Sequence, residues 1–125
     1  MSGWGKNEEK ESPKYLHFHY THRLPKSVCQ NEFHLTPLYD GTYCSSNEKW
    51  ETNPGEQLTS GGDSGGPYVC LTNDEVYIDG AVHGSHKQSE APDAKELDVA
   101  TDVVKFREWI DPFLVNTYVR TACMV

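Results

Sequence analysis

From Tyr15 to His22 aromatic and histidine side chains recur at period two, which predicts a strand with one face buried. Two further runs, Pro67-Tyr68-Val69-Cys70-Leu71 and Val76 to Val82, predict a pair of strands. Thr72-Asn73-Asp74-Glu75 lies between them and predicts a hairpin loop. Leu97 to Thr101 predicts one more short strand. The period then changes. Val103, Val104, Phe106, Trp109, Ile110, Phe113 and Leu114 recur at helical spacing and form an amphipathic stripe. Asp102 is placed to cap that helix, and Pro112 limits how far it runs regularly.

Between these elements the chain is polar. Lys6 to Lys14 and His86 to Glu96 predict solvated loops, and Leu24-Pro25-Lys26-Ser27 predicts a turn. From Cys44 to Ser60 turn residues dominate, including Asn53-Pro54-Gly55. No internal repeat or low-complexity segment interrupts the pattern.

Composition narrows the function classes. The 125 residues suit one domain, and 36% hydrophobic content is ordinary for a globular protein. Nineteen acidic residues against 11 basic give a formal charge of -8. That balance argues against nucleic acid, whose phosphates require clustered Lys and Arg, and gives no reason to expect an anionic membrane. No apolar stretch approaches a membrane-spanning length, and the first thirty residues contain no signal-peptide core. Four cysteines, Cys29, Cys44, Cys70 and Cys123, form no CxxC pair, so a zinc ribbon or thioredoxin-like site has no support.

The chemistry concentrates in Gly61-Gly62-Asp63-Ser64-Gly65-Gly66-Pro67. A serine between glycines suits a nucleophile on a tight turn, where missing side chains let another backbone approach. The amides of Gly62 and Ser64 can then serve one developing oxyanion during acyl transfer. The run from Gly62 to Pro67 resembles the nucleophile motif of chymotrypsin-like (trypsin-fold) serine proteases. Ser2-Gly3-Trp4-Gly5 is similar to the Gly-Trp-Gly that begins the second barrel of that family.

The resemblance implies an all-β fold: an antiparallel six-stranded Greek-key barrel, the second half of the double barrel, with a C-terminal α-helix. It covers residues 2–119, with 120–125 as a tail. It also implies that Trp4 opens the domain and that Trp109 docks the final helix. A Cys29–Cys44 disulfide is implied too, and a loop of that length is worth roughly 3 kcal/mol in the chain-entropy model.

In the family Ser64 is the catalytic nucleophile, Gly62 and Ser64 amides form the oxyanion hole, and Asp63 supports that loop by pairing with the amino terminus freed on activation. Val82, His83 and Gly84 fall where the family pairs with substrate backbone, although Ser-Trp-Gly has become Val-His-Gly here. His83 is read as a substrate-binding wall, with a surrogate base as the alternative. Leu58 falls at the base of the primary specificity pocket. Trypsin-like members hold Arg or Lys there with Asp, so Leu58 implies apolar or small substrate side chains. Ser60 stands where the family has a cysteine, whose partner is missing too.

Serine needs a base. The triad order in this family is His, Asp, Ser, and both partners precede the Gly-Trp-Gly start. The Ala-Ala-His-Cys motif is absent, so the triad is incomplete within these residues. The expectation is a secreted serine endopeptidase, present as a C-terminal half whose first barrel is missing and which is inactive alone. Its partners are a polypeptide substrate or a protein inhibitor. No cofactor is implied.

The alternative is a non-catalytic homologue that binds proteins through the old cleft. Cys70 is either left without its family partner or rescued by Cys123. A third reading, metal binding by His17, His19 and His22, lacks acidic or cysteine ligands at fixed spacing, and no metal ligand is assigned.

Overall fold

A computed structural model describes residues 1–7, 10–47, 59–90, 94 and 96–114. Among these residues seven strands and two short α-helices occur in the order β1 (Ser2–Gly3), β2 (His17–Phe18), β3 (Thr21–Arg23), α1 (Lys26–Asn31), β4 (Thr42–Asn47), β5 (Pro67–Thr72), β6 (Glu75–Lys87), β7 (Glu96–Asp102) and α2 (Arg107–Ile110). Strands β3-β4-β7-β6-β5 form one antiparallel five-stranded sheet, and β1 pairs with β2 separately. The fold is all-β with a short helical end. Among the described residues the main sheet has five strands where the resemblance implied a six-stranded barrel.

The β5–β6 hairpin turns where the sequence places it. Thr72 pairs with Glu75, and Asn73 and Asp74 both take positive φ, 47° and 67°. Two successive left-handed residues make the turn whose twist matches that of its strands. Strand β6 carries two irregularities. Tyr68 and Val69 of β5 face Gly80 and Ile78, so Asp79 is an extra residue. Val82 and Gly84 face Ala100 and Val99 of β7, so His83 is another. Such bulges bend a strand and re-aim the extra side chain.

Two apolar clusters hold the sheet. One joins Cys29, Phe33 and Leu38 to Cys44 and Leu97; the other joins Tyr43, Tyr68, Val82 and Ala100, with Met1 packed against it. Full burial of a side chain such as Phe33 or Leu97 contributes about 1.5–3 kcal/mol. The Cys29–Cys44 disulfide closes the first cluster, with Cα atoms 6.2 Å apart, and so ties α1 to β4. Cys70 is also disulfide-bonded; Cys123 lies outside the described residues.

The end of the chain differs from the reading of one amphipathic helix. Val103–Phe106 is a 3-10 turn, α2 spans one turn, and Asp111–Phe113 is 3-10 again. Asp102 does cap it: its side chain accepts a hydrogen bond from the Val104 amide at 3.2 Å. Trp109 does not dock, since 71% of it is exposed, and among the described residues its ring meets only that of Phe113. The strand expected from Tyr15 to His22 is broken into β2 and β3, and the turn expected at Leu24–Ser27 gives way to α1 from Lys26 onward.

Candidate active site

The motif Gly62 to Pro67 forms a turn entering β5, and its hydrogen bonds explain its shape. The Asp63 amide donates to the Ser60 carbonyl at 3.1 Å, and the Gly66 amide donates to the Asp63 carbonyl at 2.9 Å. The Gly65 amide donates to the Val82 carbonyl at 2.8 Å, and the Val82 amide returns to the Gly66 carbonyl at 2.9 Å. These last two bonds fasten the turn to β6 one residue before the His83 bulge.

Glycine is needed here for two different reasons. Gly62 and Gly65 have φ of +112° and +79°, a region that side chains disfavour. A Cβ on Gly66 would lie 2.8 Å from the Asp63 carbonyl oxygen and 3.0 Å from that of Ser2.

Ser64 is exposed at the crest of this turn. Among the described residues no hydrogen bond takes up its hydroxyl, its amide or the amide of Gly62. Two unspent amide donors on either side of Asp63 are what a developing oxyanion requires. The neighbouring Asp63 is oppositely treated, being only 8% exposed. Its Oδ1 accepts from the Gly5 amide at 2.6 Å, and its Oδ2 accepts from the Ser60 amide at 2.9 Å and the Ser60 hydroxyl at 3.3 Å. Among the described residues no amino terminus pairs with Asp63. Backbone and hydroxyl donors satisfy the buried charge instead, through charge-assisted bonds. Ser60, standing where the family has cysteine, therefore has a structural task of its own.

The proposed substrate segment divides in two. The Val82 side chain is buried in the second apolar cluster, and its amide and carbonyl both serve the turn. His83 is exposed at the bulge, Gly84 is half-buried, and both line a cavity of about 300 Å³ shared with Leu35, Leu38 and Tyr39. His83 makes no hydrogen bond to Ser64. Leu58 lies outside the described residues.

The three early histidines do not converge. His22 Nε2 meets the Ser46 hydroxyl at 3.1 Å, while His19 Nε2 lies 4.0 Å from Asp98, and His17 is exposed on β2. Among the described residues no group of three or more His, Cys, Asp or Glu is arranged to hold a metal ion.

One residue escaped the sequence reading. Asp98 on β7 is fully buried, with Oδ1 accepting from the Thr59 hydroxyl at 2.9 Å and Oδ2 from the Tyr68 hydroxyl at 2.7 Å. Thr59 and Tyr68 lie on either side of Ser64 in the chain, so Asp98 fastens both ends of the Ser64 turn. Burial, then the Asp98 charge and its hydrogen bond, push the Tyr68 hydroxyl well above the ordinary tyrosine range. Burial likewise lowers the Met1 amine, with Asp98 opposing. An aspartate within the short strand Leu97-Asp98-Val99-Ala100 was the available signal, because strands rarely contain Asp without a reason.

The fold and this turn define a peptidase-like half-barrel with a serine at its crest. The family model described as Trypsin matches residues 1–110. The chain belongs to the trypsin family, whose members are serine proteases that act on polypeptides. No helix among the described residues is long and apolar enough to cross a membrane.

Proposed function

We propose that this chain is the nucleophile-bearing half of a secreted serine endopeptidase. The carrying observation is the turn at Ser64: an exposed hydroxyl between two unspent amides, on a backbone fastened to β6, to Gly5 and to Asp98. Ser64 attacks the scissile carbonyl, the amides of Gly62 and Ser64 receive the oxyanion, and the acyl-enzyme is hydrolysed by water. Asp63 holds the shape of the hole. His83 and Gly84 form a wall of the substrate site.

The base and its orienting carboxylate come from a first barrel that these residues do not include. Exposed apolar side chains support a missing neighbour: Trp4, Phe18, Tyr20, Trp109 and Phe113 are all more than half exposed. The chain alone is therefore inactive as a peptidase, and its binding partners are a polypeptide substrate or a protein inhibitor. The testing experiment is hydrolysis of casein by the native protein and by its Ser64→Ala variant. Ser64-dependent cleavage supports the reading, and cleavage that survives the substitution contradicts it.

One observation favours a second reading, a non-catalytic homologue that binds proteins through this surface. His83, which follows the Val82 that holds the turn, makes no hydrogen bond to Ser64. That reading expects capture of a protein partner to be unchanged by Ser64→Ala and casein to remain intact.

A further inference from the structure

Four buried polar atoms belong to the walls of one cavity and have no hydrogen-bond partner among the described residues: Arg23 Nε, Tyr43 Oη, Ser45 Oγ and Asp79 Oδ1. Tyr43, Ser45 and Asp79 are each more than nine-tenths buried. A buried donor or acceptor left unpaired is costly, and a charged one most of all. Four such atoms in one place point to a ligand.

The sheet explains how they meet. Strands β3 and β5 are its two edges, yet Arg23 of β3 and Tyr68 of β5 line the same cavity, so the sheet curls around it. Asp79 is the extra residue of the first β6 bulge, a device that re-aims a side chain. The Arg23 guanidinium lies 3.8 Å from the centre of the Tyr43 ring. The cavity measures about 110 Å³, and Val69, which is exposed, forms part of its wall and opens it to solvent. At about 30 Å³ for each water-sized group, it takes roughly three or four non-hydrogen atoms. Ser64 does not line it.

The walls carry both signs of charge, and that selects the ligand. Asp79 repels an anion. Arg23, although bonded to Asp102 at 2.5 Å, repels a cation. Burial, then the Asp79 charge, raise the Tyr43 hydroxyl above the ordinary tyrosine range, so it keeps its proton and can donate. The cavity therefore offers two donors, Arg23 Nε–H and the Tyr43 hydroxyl, and two acceptors, Ser45 Oγ and Asp79 Oδ1. A primary carboxamide is their neutral counterpart, with two lone pairs on its oxygen and two hydrogens on its nitrogen.

We infer that this cavity binds a primary carboxamide, the group carried by Asn and Gln side chains and by small free amides. Its NH2 group donates to Asp79 and Ser45, and its oxygen accepts from Arg23 and Tyr43. The inference does not depend on the peptidase reading.

The test is NMR titration of the full 125-residue protein with four probes of one shape: acetamide, acetone, acetate and acetamidinium. The Arg23 Nε–H resonance reports on the cavity. Acetamide is expected to bind about tenfold or more tighter than acetone, which lacks the N–H donors for the Asp79 carboxylate. It should also bind tighter than either charged probe. Asp79→Ala should erase the preference for acetamide over acetone, and Asp40→Asn, which removes an exposed acid, should keep it. Equal binding of acetamide and acetone overturns the inference, as do tighter binding of a charged probe and a preference that survives Asp79→Ala. If Asp79→Ala fails to fold, the four probes on the wild type decide. N-acetylglutamine methylamide distinguishes the sources of the group. Competition with acetamide assigns the site to a polypeptide side chain, and acetamide binding without that competition assigns it to a small free amide.

Discussion

The amide of Gly5 donates to Oδ1 of Asp63 at 2.6 Å, joining Gly5 to the centre of the Ser64 turn across 58 positions. Around that bond the backbone is closely packed. A Cβ on Gly5 or on Gly3 would overlap the Asp63 carboxylate. The Ser60 hydroxyl donates to the Lys6 carbonyl at 2.5 Å, and the Lys6 amide donates to the Gly61 carbonyl at 3.2 Å. The segment Gly3 to Lys6 is thus the floor on which the Ser64 turn is built.

Gly5→Ala should therefore destabilise the protein by about 1–3 kcal/mol, the range for overpacking a fitted site. Urea denaturation measures it. A change within roughly 0.5 kcal/mol, typical of an unconstrained surface position, would mean that the carboxylate moves aside freely.

Tyr43 and Tyr68 are both held far above the ordinary tyrosine pKa, in each case first by burial and then by a neighbouring carboxylate, Asp79 for Tyr43 and Asp98 for Tyr68. A raised folded pKa means that the native state keeps a proton which the unfolded chain releases near pH 10. Their contribution is therefore constant below about pH 10 and is lost above it, by about 1.4 kcal/mol per pH unit for each tyrosine. Absorbance titration should show these two phenols ionising only together with unfolding. Smooth ionisation of all seven tyrosines near pH 10 in folded protein contradicts this.

In the β5–β6 turn, Asp74 takes φ of 67° with no glycine to relieve it. Asp74→Gly should stabilise the fold by a few tenths to about 1 kcal/mol, because this turn prefers glycine at its second central position. Thermal melts of the two proteins check the sign. A lower melting temperature for Asp74→Gly counts against the turn described.

Replacing both Cys29 and Cys44 by serine opens a loop with a sequence separation of 15. The expected loss is about 3 kcal/mol, mainly through the unfolded chain. Equal urea midpoints for the double variant and the wild type would show that the bridge contributes nothing.

The hairpin, β7 and the Asp102 cap were legible because alternation, turn residues and a capping side chain all agree locally. Strand β4 was hidden by its polar content: Ser45 and Ser46 are buried, and polar residues inside a sheet look like loop residues in sequence. Helix α1 is six residues long, too short for a helical period to register, and its N-cap, Pro25, makes no side-chain cap bond. The Trp109 stripe was read correctly as apolar and wrongly as docked, since periodicity says which face is apolar and nothing about what covers it. At the site, Ser64 and its glycines were legible because a tight turn restricts residue types. Asp98 was not, because its meaning depends on Thr59 and Tyr68 arriving from either side of the turn.

The central claim is that Ser64 is an acyl-transfer nucleophile, and the most direct measurement is fluorophosphonate treatment of the native protein followed by intact mass and peptide mapping. The account predicts an adduct on Ser64 in a species heavier than 14.1 kDa, lost with Ser64→Ala. A 14.1 kDa species that takes up no fluorophosphonate would contradict it and leave protein binding as the function of this turn.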